Sequence, residues 1–440
     1  MCVKKRYRVL LCGVLCACQA GLVWAAGGGD AVGAGDFALK GWSARGLALA
    51  GGMVGRADDP STLAYNAAGM TQLSGTRVMG GFDLHVPSGS IDARMDDGSR
   101  KSIDTKSSLW ATPHAYVTHQ LNDRFWVGLG MFSRFGADNE FSDNWVGRYS
   151  MTSAQARTIS FVPSLAMKVN DAWSVSAGVE VMYADFTMTR QIPSMQYVGY
   201  FPSKGPDSKE RRTSTGWGMG LHLGSHWRMT DALSLGVAYK SPVTLRLNGR
   251  AEYSLHQPNM LADQSEVPHT IDTDTDAKIH LPGSLSLGLA YKPMDNLSVE
   301  VGTVFTHWSR FDYDTTYHSD FNESGKDGGR NSWNVNASVE YKPRQWLALR
   351  AGVWHDTSAV RDHAVGFMSP GDGSTGVGLG VGMNWGAWTL DLAYAYRRSH
   401  DLDYGDSGVT GVISSVSNVS SAHSRDVEDN IVMATISYAY

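Results

Sequence analysis

The chain has 440 residues, 42% of them apolar and 10% aromatic, with a formal net charge of −5 and a mean hydropathy of −0.24. No window of about eighteen apolar residues follows the N-terminus, which excludes a spanning helix but not a spanning strand, because only every second residue of a barrel strand faces lipid. The mild acidity, with no basic run interleaved with aromatics, argues against nucleic acid as a partner.

Lys4, Lys5, Arg6 and Arg8 precede the apolar stretch 9–23, and Val23-Trp24-Ala25 fits a small-residue cleavage site. Residues 1–25 therefore read as a secretory signal peptide, with the mature chain starting near Ala26. All four cysteines, Cys2, Cys12, Cys16 and Cys18, fall inside that signal, so the mature chain carries no thiol, disulfide or cysteine metal site. Residues 26–75 form a glycine-rich segment with little alternation, from Gly27 to Gly55 and beyond. Such a segment buries little by itself, and two readings stand: a disordered tail, or a plug packed inside a barrel.

From 76 to 440 the pattern changes to strict alternation. About fourteen strands are expected, near 77–86, 109–119, 125–135, 158–169, 173–190, 212–227, 233–247, 284–292, 297–308, 331–342, 346–354, 377–385, 388–397 and 429–440. The clearest unit is the hairpin around Pro293-Met294-Asp295-Asn296. One arm alternates Leu285, Leu287, Leu289 and Tyr291 with small residues; the other alternates Leu297, Val299, Val301, Thr303 and Phe305. Each arm has about ten residues, enough for a tilted strand to cross a bilayer. Six short turns alternate with seven long connections, near 87–108, 136–157, 191–211, 248–283, 309–330, 355–376 and 398–428. That puts every long connection on one side, as in an outer-membrane barrel. Trp110, Trp126, Trp173, Trp227, Trp346, Trp385 and Trp388 lie near strand ends, where interfacial girdles belong. The final alternating strand ends on Tyr440, like the signal read by the outer-membrane assembly machinery. The expected fold is all-β: a transmembrane antiparallel barrel of about fourteen strands in the outer membrane of a Gram-negative bacterium, with an N-terminal plug in its lumen.

Taken together, the stretches Phe37-Ala38-Leu39 to Leu47, Tyr65 to Met70, Phe135 to Tyr149, Leu281-Pro282 and Trp308 to Phe311 resemble one family, the FadL/TodX-type outer-membrane transporters of long-chain fatty acids and other hydrophobic compounds. Phe37-Ala38-Leu39 through Gly46-Leu47 is similar to the family's mature N-terminus, and Tyr65-Asn66-Ala67-Ala68-Gly69-Met70 to its hatch. Ala67 stands where the family usually has proline. Phe135-Gly136-Ala137 to Trp145-Val146-Gly147-Arg148-Tyr149, Leu281-Pro282, and Trp308-Ser309-Arg310-Phe311 resemble further family signatures. The resemblance implies passive uptake of long-chain fatty acids or similar molecules through a plugged barrel, without a cofactor. It also implies ligand-binding residues: Arg190 and Arg330 as the two cations for a carboxylate, and Phe37 reaching toward the ligand. Phe135 and Trp145 would serve an outer capture groove, and Asn66, Ala67 and Ala68 the hatch. Charge-assisted bonds from arginine are the chemistry a carboxylate needs.

The competing constellations are sparser. Asp272, Asp274 and Asp276 lack the glycine and terminal glutamate of an EF-hand loop, and no metal site is expected. No Gly-x-Ser-x-Gly elbow stands out, and no enzyme is expected. Lys204, Lys209, Arg211 and Arg212 could meet lipopolysaccharide phosphates, with outer-membrane lipid as the surrounding partner. The alternatives to fatty-acid uptake are a hydrocarbon or aromatic-compound channel and a surface adhesin or structural barrel.

Overall fold

The computed structural model describes residues 38–106, 109–149, 151–192, 195–198, 201–204, 207–257, 267–317, 322–325, 329–361, 373–403 and 419–440. The signal region and Phe37 lie outside the described residues. Fourteen antiparallel strands make the wall: β1 (Thr76–Met95), β2 (Trp110–Gln120), β3 (Phe125–Phe132, resumed at Gly136–Glu140), β4 (Ser153–Lys168) and β5 (Trp173–Ile192). These are followed by β6 (Ser208–Arg228), β7 (Leu233–Lys240, resumed at Val243–Gln257), β8 (Val267–Leu281, resumed at Ser284–Met294) and β9 (Leu297–Thr306, resumed at Asp312–Tyr317). β10 (Ser332–Arg344), β11 (Leu347–Thr357), β12 (Gly373–Trp385), β13 (Trp388–Ser399) and β14 (Val419–Ala439) complete it. Each strand pairs with its sequence neighbours, and β1 pairs with β14 from Arg77↔Ala439 to Met95↔Val419, which closes the barrel.

Alternation decides which side each residue takes. On β8, Leu285, Leu287 and Leu289 are exposed to the lipid side while Ser286 and Ala290 are buried. The same rule corrects the girdle. Trp173, Trp227, Trp346, Trp385 and Trp388 are exposed, but Trp126 points inward and its indole N–H donates to the Leu73 carbonyl at 2.7 Å. Trp110 also turns inward and stacks on His85, with centroids 4.2 Å apart. A strand-end tryptophan suits either side; its place in the alternation settles which.

The long connections are also not simply loops. β1 runs on to Met95, β7 and β8 pair from Val243↔Leu281 to Gln257↔Val267, and β14 starts at Val419. The outward face turns polar there while the inward face keeps buried apolar residues such as Ile91, Leu245, Leu247 and Val419, so the lipid-facing alternation ends while the ladder still satisfies the backbone. Asp272 and Asp274 accordingly sit on a paired strand beside Arg250.

Four strands break where a ladder donor is missing or redirected: β9 at the 3₁₀ turn Trp308–Arg310, and, close together, three more, β3 at 133–135, β7 at Ser241-Pro242 and β8 at Pro282-Gly283. Arg134 reaches the last three. Its guanidinium donates to the Pro282 carbonyl at 3.2 Å and the Ser241 carbonyl at 3.5 Å. Among the described residues, β3 beyond its break pairs only with β4, and the outer part of β2, Trp110–His114, pairs only with β1. A gap in the wall ladder therefore opens between β2 and the resumed part of β3.

The N-terminal segment carries α1 (Ala44–Ala48), α2 (Thr62–Tyr65) and a 3₁₀ turn (Ala67–Gln72), almost wholly buried. Ser43 caps α1 by accepting from the Gly46 amide at 3.0 Å. The segment bonds to strands around the whole circumference: β14 through Thr435, β10 through Glu340, β9 through Glu300, β6 through Ser225, β5 through Ser174 and β3 through Arg134. It therefore fills the lumen.

Close approach at the 54–55 turn needs bare backbone on both sides. A Cβ on Gly55 would stand 2.7 Å from the Gly288 carbonyl, and one on Gly236 would overlap the Val54 carbonyl. Gly236→Val is expected to expel this turn from the wall, lowering the yield of heat-resistant folded barrel on semi-native gels. The same change at Gly386, in an open turn with nothing within 4 Å, tests whether this effect is specific to the wall; it strains only its own positive φ.

Candidate functional site

Two cavities flank the extended stretch 38–41, which docks on the β3 break through an Ala38↔Phe135 bridge and a Leu39 N–H bond to the Arg134 carbonyl at 2.8 Å. The first cavity, about 680 Å³ with its mouth, is lined by Trp42, Val54, Tyr65, Phe135, Arg134 and Lys240 among others. Its lining is mostly apolar with a few convergent polar groups, the composition of a small-molecule site.

Three cations line it on different terms, and Lys40 is held by Asp356. Arg134 is spoken for: it donates to Glu180 at 2.5 Å, and Glu180 also accepts from Ser160 at 2.6 Å and lies 3.1 Å from His222 Nε2. Lys240 is 5% exposed and makes no ion pair among the described residues. Its ammonium instead sits 3.4 Å from the centre of the Trp42 ring. A cation–π contact of this kind offsets part of the cost of burying the charge, but leaves its hydrogen-bond donors for another acceptor.

The second cavity, about 850 Å³ with its mouth, borders the gap beside Trp110. Leu39, Leu47, Trp354 and Ile431 give it apolar walls; Asp83, His85, Asp138 and Asp429 give it a polar end. His85 lies between Asp429 (2.8 Å) and Asp83 (3.2 Å). Asp138 lies in the outer extension of β3, beyond the lipid-facing band, where burial pushes its carboxyl up to about 6 against the pull of Gln155 and Arg157.

The floor under both cavities is held by two arginines. Arg45 donates to Glu340 (2.8 Å), Asp58 (2.7 Å) and Asp59 (3.1 Å), and Glu340 also accepts from Arg350 at 2.6 Å. Arg56 donates to the Gly52 carbonyl and to Ser338, while Glu300 accepts the amides of Val54, Gly55 and Arg56. In the expected hatch, Asn66 bonds the Val54 and Ser225 carbonyls, both at 3.0 Å, and Ala67 and Ala68 lie buried in the 3₁₀ turn it caps.

Of the residues expected to bind ligand, Phe135 lines the first cavity, edge-on to Trp308. Arg190 and Arg330 line neither. Arg190 lies in the outer extension of β5 and donates to Glu210 at 2.5 Å, beside Arg212 and Tyr253. There burial, and then the Glu210 carboxylate, push the Tyr253 phenol up. Arg330 is exposed, with its backbone N–H on the Ala359 carbonyl. Trp145 belongs to a separate outer cluster, stacked 3.9 Å from Phe141 and donating to the Met151 carbonyl. Trp145→Ala should cost this cluster about 3–5 kcal/mol, read as faster hydrogen exchange over 141–151 with the wall unchanged. Lys240 escaped sequence reading, although it ends the inward set Ser234, Gly236, Ala238 of an alternating strand. A charge on the small-residue face was the available signal.

The family model for outer membrane transport proteins (OMPP1/FadL/TodX) matches residues 26–440. An outer membrane protein of Neisseria meningitidis serogroup B is 26% identical over 85% of this chain and 88% of its own length. The long-chain fatty acid transport protein of Escherichia coli O6:H1 is 21% identical over 85% and 86%. A solved Pseudomonas aeruginosa FadL homologue superposes with a TM-score of 0.78 at 19% identity, covering 92% of this chain and 99% of that one.

Proposed function

We infer from one premise, that this chain belongs to the OMPP1/FadL/TodX family of outer membrane transport proteins, that its cargo is a long-chain fatty acid or a similar hydrophobic molecule with an anionic head. The observation that carries this reading is Lys240, a buried cation without an ion-pair partner among the described residues, at a mostly apolar cavity. A carboxylate would complete it, with the acyl chain along Trp42, Val54 and Phe135. Transport is passive: ligand partitions into the outer loops, enters the cavity, and leaves when the N-terminal segment shifts. The gap between β2 and β3 supports a lateral exit, and the 38–41 stretch is the piece whose movement would join the two cavities.

Arg190 and Arg330 act in this scheme at the outer rim, as cations that steer an incoming anion. Lys209, which meets Asp143 at 3.7 Å, and Arg211 are exposed on the same outer side, where lipopolysaccharide phosphates would meet them, while Arg212 turns to Glu210 at 3.2 Å. The test is equilibrium binding of a labelled long-chain fatty acid and of an uncharged alkane to the refolded barrel. Preference for the acid is expected. Arg190→Ala with Arg330→Ala should slow association and reduce its salt dependence while leaving affinity nearly unchanged. Equal binding of acid and alkane would move the cargo to hydrocarbons, and binding of neither would favour a surface adhesin.

A further inference from the structure

The second cavity is built for the opposite charge. Its polar end holds Asp138 and Asp429, 2% and 4% exposed, and each leaves one buried carboxylate oxygen, Oδ1, without a hydrogen-bond partner among the described residues. The other oxygens are engaged: Asp429 Oδ2 by His85 at 2.8 Å, and Asp138 Oδ2 by Gln155 at 3.4 Å and Arg157 at 3.5 Å. Two acceptors left open in so dry a setting are costly unless something donates to them. The cations nearby do not supply it. Lys40 is held by Asp356, and Arg397 stands 3.8 Å from Asp429 Oδ2, beyond hydrogen-bond reach. Beside these acceptors lies an apolar slot formed by Leu39, Leu47, Trp354 and Ile431.

We propose that this cavity is a second ligand site, taking an amphiphile with an alkyl chain and a primary ammonium head that donates to Asp138 and Asp429. An ammonium carries three donors and no acceptor, which matches two open carboxylate oxygens. A carboxylate head would meet like charge there. The proposal goes beyond the fatty-acid reading: the chain would hold an anionic head on Lys240 and a cationic one across the 38–41 stretch.

The test is calorimetric binding of tetradecylamine, tetradecanol and tetradecanoate to the purified full-length barrel in neutral detergent near pH 7.5. The amine is expected to bind more tightly than the alcohol. Asp138→Asn, and separately Asp429→Asn, should weaken it about 10- to 100-fold, as loss of a charge-assisted hydrogen bond does. Asp138→Asn keeps the proposal testable if the Asp429 variant, stripped of its His85 contact, fails to fold. Lys240→Met should leave amine binding unchanged. Equal affinity for amine and alcohol, indifference to Asp138→Asn, or loss of amine binding in Lys240→Met would each overturn the proposal. Tetradecanoate reports separately: if it fails to bind while the amine passes, the fatty-acid reading falls and this one stands.

Discussion

Lys240→Met is expected to weaken binding of a long-chain fatty acid by about 10- to 100-fold, the worth of a charged hydrogen bond in a buried site, and to leave alkane binding where it was. Methionine keeps an unbranched apolar stem beside Trp42 and Phe132 but removes the charge that sits over their rings. The folded protein should gain from the change. A buried ammonium without a carboxylate partner is a standing desolvation cost, so the thermal midpoint of the ligand-free barrel should hold or rise. Titration calorimetry and a melting curve on the same preparation separate the two effects. Acid binding unchanged in the variant would remove Lys240 from the site.

Glu300→Ala should have the largest structural effect. Glu300 is 1% exposed and accepts three consecutive amides at 2.8–3.0 Å, with Arg56 Nη1 3.7 Å away. Removing it strands those donors and the arginine together, and breaking a buried pair from one side costs about 3–5 kcal/mol. The strands themselves do not depend on it. The expected result is a barrel that still resists heat on a gel, with fast amide exchange over 53–57 and ion conductance in a planar bilayer where the parent shows little. Glu300→Gln, which keeps an acceptor, should fall between. A silent bilayer trace with protected amides would mean that Arg45 and its carboxylates hold the plug alone.

The wall was legible because a lipid-facing strand must alternate, and Leu285 to Tyr291 or Leu297 to Phe305 leave no other reading. The plug's partners were not. Glu300, Glu340 and Arg350 are visible in the sequence as charges on the small-residue faces of strands, yet nothing local says that they meet Arg56 and Arg45. Those pairings span hundreds of residues and exist only once the barrel has curved. Lys240 shows the same limit, since its meaning depends on the plug residue Trp42 lying over it. The expected carboxylate cations, Arg190 and Arg330, were carried over by sequence resemblance, and the lumen offers a different cation at the cavity. Strand ends misled as well: polar extensions such as Thr270 to Lys278 pair without any hydrophobic pattern to announce it.

The circumferential bonding of the segment before β1 has a consequence for biogenesis. Ala44 bonds Thr435 on the last strand, and Thr76 leads directly from this segment into the seam with that same strand. The seam between β1 and β14 joins the two ends of the wall, so it is the slowest contact to find, given the sequence distance it spans. A plug that packs on β3 to β13 while the wall is still open would be in place before the seam zips. A chain truncated before Val419 should therefore stall on the assembly machinery with residues 43–72 already protected from protease, a trapped species that pulse-labelling would detect.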